Sequence, residues 1–166
     1  KKYMKNRGNS SPTKILFVCH GNICRSPMAE YIMKSMVESC GMADRFEIAS
    51  AATSTEEIGN DIYPPAKRTL TRHGISFGRR RARQMTASDY YYYDIIFVMD
   101  RNNMRWMKYI MPQEILQDEH FPDKVRMLMA LTGESRDVAD PWYTGDFERT
   151  YDDISSALTC FLDSQS

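Results

Sequence analysis

The sequence predicts an α/β fold: a single doubly wound domain with a four-stranded parallel sheet and helices on both faces, of the flavodoxin-like kind. Three observations predict it. Short, unbroken apolar runs recur along the chain, as at Lys14–Cys19 and Asp94–Met99. Segments with helical apolar spacing separate and follow them. Gly, Pro and Ser punctuate the junctions. Unbroken apolar runs suit strands buried on both faces, and strands alternating with helices imply parallel pairing through crossovers.

The first strand is Lys14-Ile-Leu-Phe-Val-Cys19. A polar turn containing Gly21 follows, and Ser26-Pro27 opens a helix, with Ser suited to the N-cap and Pro to the first helical position. Apolar residues Ile32, Met33, Met36 and Val37 then recur at helical spacing up to a stop at Gly41. Phe46-Glu-Ile-Ala49 is a second strand, and residues 51–61, small and polar, read as a loop. Pro64-Pro65 starts a helix that Gly74 closes. Asp94–Met99 is the third strand, ending at Asp100, with a helix from Asn102 onward. Lys124-Val-Arg-Met-Leu-Met129 is a weaker fourth strand. The last helix, about Asp146 to Leu162, aligns Phe147, Tyr151, Ile154, Leu158 and Phe161 on one face. Residues 1–13 read as a flexible N-terminal leader and 14–166 as one domain.

Composition narrows the function. The chain has 166 residues, and its 22 Lys plus Arg match 22 Asp plus Glu, so no global field favours nucleic acid or an anionic membrane. No apolar run approaches the roughly 18 residues of a membrane span, and the basic start is followed by no signal-like apolar stretch. Four cysteines, Cys19, Cys24, Cys40 and Cys160, are too sparse for a disulfide scaffold. A reducing, cytoplasmic setting is expected. Cys19, His20, Cys24 and His73 could be drawn as a zinc set, but a second paired motif is lacking and adjacent ligands rarely suit a tetrahedral site, so no metal and no cofactor is expected.

The chemistry concentrates in Cys19-His-Gly-Asn-Ile-Cys-Arg25-Ser26-Pro27, which joins a buried strand to a helix start. Residues His20, Gly21, Asn22, Ile23 and Cys24 are enough backbone to wrap a tetrahedral oxyanion, with N–H groups turned inward and the positive helix end behind. Gly21 is expected to supply unusual dihedrals. That field favours the thiolate of Cys19. Arg25 offers a planar fork for two phosphate oxygens, and Ser26 can donate to the sulfur. A leaving alkoxide or phenoxide needs a proton, for which Asp140-Pro141-Trp142-Tyr143 supplies a carboxyl flanked by aromatic rings.

From about residue 14 to its end the chain resembles the low-molecular-weight protein-tyrosine phosphatases. Cys19 to Pro27 fits their signature Cys-x-Gly-Asn-x-Cys-Arg-Ser-Pro, and Asp140-Pro141 fits their distant acid motif. Between them, Ser50-Ala-Ala-Thr-Ser54, Ile58-Gly-Asn60, Arg72-His-Gly-Ile75 and Ala82-Arg-Gln84 are similar to family segments in the same order. The resemblance implies Cys19 as nucleophile, Arg25 as phosphate ligand and Asp140 as general acid, then base. It implies that Asn22, Ser26, Ser50 and His73 hold the loop, that Trp142 and Tyr143 form the pocket rim, and that Cys24 can form a reversible disulfide with Cys19, sparing it from overoxidation. The implied substrate is a phosphotyrosine-containing protein or peptide, inorganic phosphate is the product, and the chain acts as a monomer capable at most of weak self-association.

Three departures stand out. His20 replaces a residue that is often apolar in the family. Glu56, followed by Glu57, lies where an aromatic side chain often flanks the substrate, which disfavours acidic phosphopeptides. Trp142 stands where many members carry Tyr. Rival readings are an arsenate reductase, which would need further cysteines downstream, a protein-arginine phosphatase, which resembles a version with Thr at Ile23, and a non-hydrolytic phosphate carrier or redox-sensing module, which would lack Arg25 and Asp140.

Overall fold

The computed structural model describes residues 11–165. The leader expected over residues 1–13 therefore lies mostly outside the described residues. Four parallel strands, β1 (Thr13–Cys19), β2 (Phe46–Ala52), β3 (Ile95–Val98) and β4 (Val125–Met127), form one sheet in the order β2-β1-β3-β4. The chain steps from β1 outward to β2, then back across β1 to β3. That reversal opens a crevice at the carboxyl ends of β1 and β3, the usual ligand position in open α/β sheets. Cys19 ends β1, and Asp100 stands two residues beyond the last residue of β3.

Alternation along the strands builds two cores. Ile15, Phe17, Ile95 and Phe97 face helices α1 (Arg25–Ser39), α2 (Pro64–Arg72) and α8 (Phe147–Asp163), where they meet Met28, Ile32, Leu70, Ile154 and Leu158. Leu16, Val18, Ile96 and Val98 face α3 (Ala87–Tyr92), α4 (Arg101–Ile110) and α5 (Gln113–Leu116), packing on Tyr90, Tyr93, Met107 and Ile115. Burial on both faces is why the strands read as unbroken apolar runs. Of the four consecutive tyrosines, Tyr90 and Tyr93 are buried while Tyr91 and Tyr92 remain exposed.

Several boundaries differ from expectation for local reasons. β2 continues to Ala52, because Ser50, Ala51 and Ala52 pair with Phe17, Val18 and Cys19 of β1. β4 stops at Met127; Leu128 and Met129 turn into a tight 3-10 segment that buries both side chains against the core. Two further short helices, α6 (Phe121–Lys124) and α7 (Pro141–Thr144), are too brief for a periodic signal. Ser26 does not cap α1. The helix starts at Arg25 behind Cys24, without a side-chain cap, and the Ser26 hydroxyl is turned to other partners described below. Among the described residues no helix is long and apolar enough to cross a membrane.

Phe97 sits at the centre of the first core, 5.8 Å from the ring of Phe17 and 5.6 Å from that of Phe161. Truncation there leaves a cavity that rigid strands cannot fill. Phe97→Ala is expected to lower the unfolding free energy by about 3–5 kcal/mol in urea titration; a loss under about 1 kcal/mol would contradict this packing.

Candidate active site

The loop after β1 folds back on itself with its carbonyls pinned outward. The carbonyl of Cys19 accepts from Thr53 N–H (2.9 Å), that of His20 from Ser54 N–H (3.0 Å), that of Ile23 from Tyr63 N–H (2.9 Å), and that of Cys24 from Met28 N–H (3.0 Å). In a planar trans peptide the following N–H points the opposite way. The amides of His20, Gly21, Cys24 and Arg25 are thereby turned away from those partners, as an anion-binding nest requires.

Asn22 gives the loop its shape. It is fully buried and has φ of 59°, the left-handed region, rare for a residue other than glycine. Its side chain holds it there, donating to Ser26 Oγ (2.8 Å) and Ser50 Oγ (3.0 Å) and accepting from Arg83 N–H (3.2 Å). The expectation that Gly21 carries the unusual dihedral is corrected: Asn22 does. Gly21 is needed for space, since a Cβ there would lie 3.3 Å from Glu57 Cγ.

Ser26 Oγ is 3.0 Å from Cys19 Sγ, and Ser26 N–H donates to that sulfur at 3.4 Å. Behind them Ser50 Oγ donates to Glu30 Oε1 (2.6 Å), and the other Glu30 oxygen takes Lys34 (2.6 Å). His73 is not part of this network. Its Nε2 bonds Glu148 (2.6 Å) and its ring stacks on Tyr151 with centroids 3.6 Å apart, between the end of α2 and α8. The loop-supporting role expected of His73 is corrected: Glu30, one turn along α1 from Ser26, is the carboxylate behind Ser50.

Arg25 is buried, 2% exposed, although it carries a full charge. One guanidinium nitrogen donates to Asp100 (2.7 Å) and to the Val138 carbonyl (2.8 Å), and the other faces Asp140 Oδ2 at 3.3 Å. Burial opposes its charge, but the negative Cys19, Asp100 and Asp140 outweigh that, and Arg25 is held above its ordinary value. Asp100 is itself fixed as the N-cap of α4, accepting from Asn103 N–H at 2.7 Å. Asp140 caps α7, with Oδ1 accepting from Trp142 N–H at 3.0 Å.

These groups surround a cavity of about 230 Å³ lined by Cys19, His20, Gly21, Ile23, Cys24, Arg25, Glu56, Glu57, Asp140, Trp142 and Tyr143. It is smaller than the ~300–1,000 Å³ of most ligand pockets, a size for one side chain. Asn22, Ser26 and Ser50 stand behind the wall. Trp142 leans on Tyr63 (centroids 4.8 Å), and Tyr143 projects into solvent, 85% exposed. Burial pushes the Cys24 thiol well up, and the neighbouring Cys19 and Asp140 charges add to this. Sequence reasoning missed Glu30, Tyr63, Arg83, Asp100 and Val138. Arg83 lies within the Ala82-Arg-Gln84 segment of the family resemblance, and Asp100 left a signal as a carboxylate at the end of an apolar strand.

Comparison with known proteins agrees with this fold. The model of the family described as low molecular weight phosphotyrosine protein phosphatase matches residues 14–165. A curated low molecular weight phosphotyrosine protein phosphatase of Gallus gallus is 37% identical over 152 residues, covering 90% of this chain and 93% of its own. Among solved structures, YfkJ from Bacillus subtilis superposes with a TM-score of 0.84 at 33% identity, over 95% of this chain and 96% of its own. A drosophila arginine phosphatase superposes with a TM-score of 0.80 at 28% identity, over 93% and 98%.

The Asn22 network generates a stability test. Asn22→Ala loses three hydrogen bonds and keeps the left-handed strain, so about 2–4 kcal/mol of stability is expected to go. Asn22→Gly relieves only the strain and is expected to recover about 1 kcal/mol of that. Equal stability of Asn22→Ala and wild type in urea titration would contradict the network.

Proposed function

The chain belongs to the low molecular weight phosphotyrosine protein phosphatase family, and from that premise we propose that it hydrolyses phosphotyrosine through a phosphocysteine on Cys19. One observation carries the reading: Cys19 and Arg25, at the two ends of the phosphate loop, and Asp140, more than a hundred residues further along the chain, line one cavity. Phosphate oxygens would lie on the loop amides and the Arg25 fork, facing the sulfur. The Cys19 thiolate attacks phosphorus as the phosphorus–oxygen ester bond breaks, and Asp140 hands its proton to the leaving phenoxide. Water then attacks phosphorus, Asp140 takes up the water proton, and the sulfur leaves as thiolate. Ser26 Oγ, 3.0 Å away, can donate to that departing charge. The products are tyrosine and inorganic phosphate.

The chemistry of the wall favours a phenyl ring. Ile23 and Trp142 both line the cavity with apolar surface, whereas the arginine-phosphatase alternative would call for a polar group to position water against a phosphoramidate. Arsenate reduction lacks its relay, because Cys40 lies exposed just past the end of α1 and Cys160 is exposed on α8. A carrier that only held phosphate would have no use for Asp140.

Cys19→Ser is expected to cut turnover of para-nitrophenyl phosphate by at least about a thousandfold while the fold persists; retained turnover would remove Cys19 as nucleophile. Asp140→Ala is expected to slow phenyl phosphate by about 10²–10⁴-fold and para-nitrophenyl phosphate, a better leaving group, far less. Equal slowing would argue against an acid.

Cys24 belongs to the same reading as a protective thiol. Peroxide converts Cys19 to its sulfenic acid, and Cys24 sulfur then displaces hydroxide, giving a disulfide and water. Because burial keeps Cys24 protonated, it does not compete as nucleophile in the resting enzyme. After brief peroxide treatment, dithiothreitol is expected to restore wild-type activity but to leave Cys24→Ser largely inactive. Equal recovery would take Cys24 out of the scheme.

A further inference from the structure

Two positions at which the sequence departs from its family meet at the mouth of the cavity. His20 Nε2 is hydrogen-bonded to the Glu56 carboxylate. The His20 ring also lies edge-on against Trp106 of α4, with centroids 5.6 Å apart at 66°. The backbone of His20 is clamped as well, its carbonyl accepting from both the N–H (3.0 Å) and the hydroxyl (2.9 Å) of Ser54. The phosphate loop, the loop after β2 and α4 are thus joined along one side of the pocket.

That side is open to solvent, and its cavity lining carries two carboxylates. The Glu56 side chain is 67% exposed and Trp106 is 41% exposed. Tyr109, one turn further along α4, is edge-on to Trp106 at 6.1 Å. Glu57 lines the same wall, and its carboxylate is bonded to the neutral amide of Asn60 (2.6 Å), which leaves its charge uncancelled. Within the cavity lining on this side, Glu56 and Glu57 supply two carboxylates beside the one imidazole of His20. On the other rim, Trp142 and Tyr143 are uncharged.

We propose that Glu56 and Trp106 form a subsite for a cationic side chain, Lys or Arg, that flanks phosphotyrosine in the substrate. Resting on the phosphotyrosine reading above, this names its substrate class. A phosphotyrosine seated on Arg25 brings neighbouring peptide residues to the mouth, within reach of an exposed carboxylate and an exposed indole. A guanidinium or ammonium pairs with Glu56 while its face or methylene stem lies on Trp106. An acidic neighbour meets Glu56 and Glu57 as like charges. His20 is a positioning residue: its bond fixes where Glu56 stands.

The test compares kcat/KM on three phosphotyrosyl peptides that differ only in flanking Arg, Ala or Glu, with para-nitrophenyl phosphate as reference. The Arg peptide is expected to exceed the Glu peptide by about tenfold at low salt, less at high salt. Glu56→Lys is expected to invert that order. Trp106 does not line the cavity itself, and Trp106→Ala is expected to shrink the Arg preference while para-nitrophenyl phosphate turnover stays within about twofold. Equal rates on the Arg and Glu peptides, or a preference that survives Glu56→Lys, would overturn the subsite. If wild type hydrolyses para-nitrophenyl phosphate but does not discriminate the peptides, the subsite alone fails. If it hydrolyses neither, the phosphatase reading falls and takes the subsite with it.

Discussion

A buried guanidinium is the constraint around which the rest of the molecule is arranged. Removing a cation from water is costly unless fixed partners replace the lost hydration. Arg25 finds its partners far apart in sequence: Asp100 beyond β3, the Val138 carbonyl, and Asp140 at the head of α7. They can meet only because the strand order brings the ends of β1 and β3 side by side. Fold and site are therefore one problem. Val138 completes the link, since its N–H donates to the Met99 carbonyl (2.8 Å) while its own carbonyl accepts from Arg25.

The loop in front of that cation has the opposite requirement. It must hold several amides free of internal partners, which no regular helix or strand does. Outward carbonyl bonds to Thr53, Ser54 and Tyr63 achieve this, together with a left-handed Asn22 that is itself buried and bonded on three sides. Strain at one residue is tolerated because its surroundings over-determine it. The same rigidity serves catalysis, since donors fixed before the reaction need no reorganisation as charge moves onto the phosphoryl oxygens.

Much of this was legible in the residues. Unbroken apolar strands gave the sheet, and the spacing from Cys19 to Arg25, followed by Asp140-Pro141, gave the groups that now share one cavity. What escaped was support that depends on tertiary pairing. Glu30 looks like any exposed helix carboxylate, and nothing local says that it sits behind Ser50. His73 looks equally suited to that task, yet the chain turns it toward Glu148 and Tyr151. Ser26 has the chemistry of an N-cap, but a neighbouring sulfur claims it. Local patterns report burial and turn chemistry well; they say little about which of two plausible partners a side chain meets.

The account stands on the sulfur of Cys19 accepting the phosphoryl group, and that intermediate can be observed directly. An Asp140→Asn variant, slow to activate water, can be mixed with para-nitrophenyl phosphate, quenched in acid within its first turnover, digested and analysed by mass spectrometry. The phosphoryl group is predicted on the peptide containing Cys19, and on none when Cys19→Ser is also present. Phosphate released with no labelled peptide, or a label on another residue such as His20, would contradict the account.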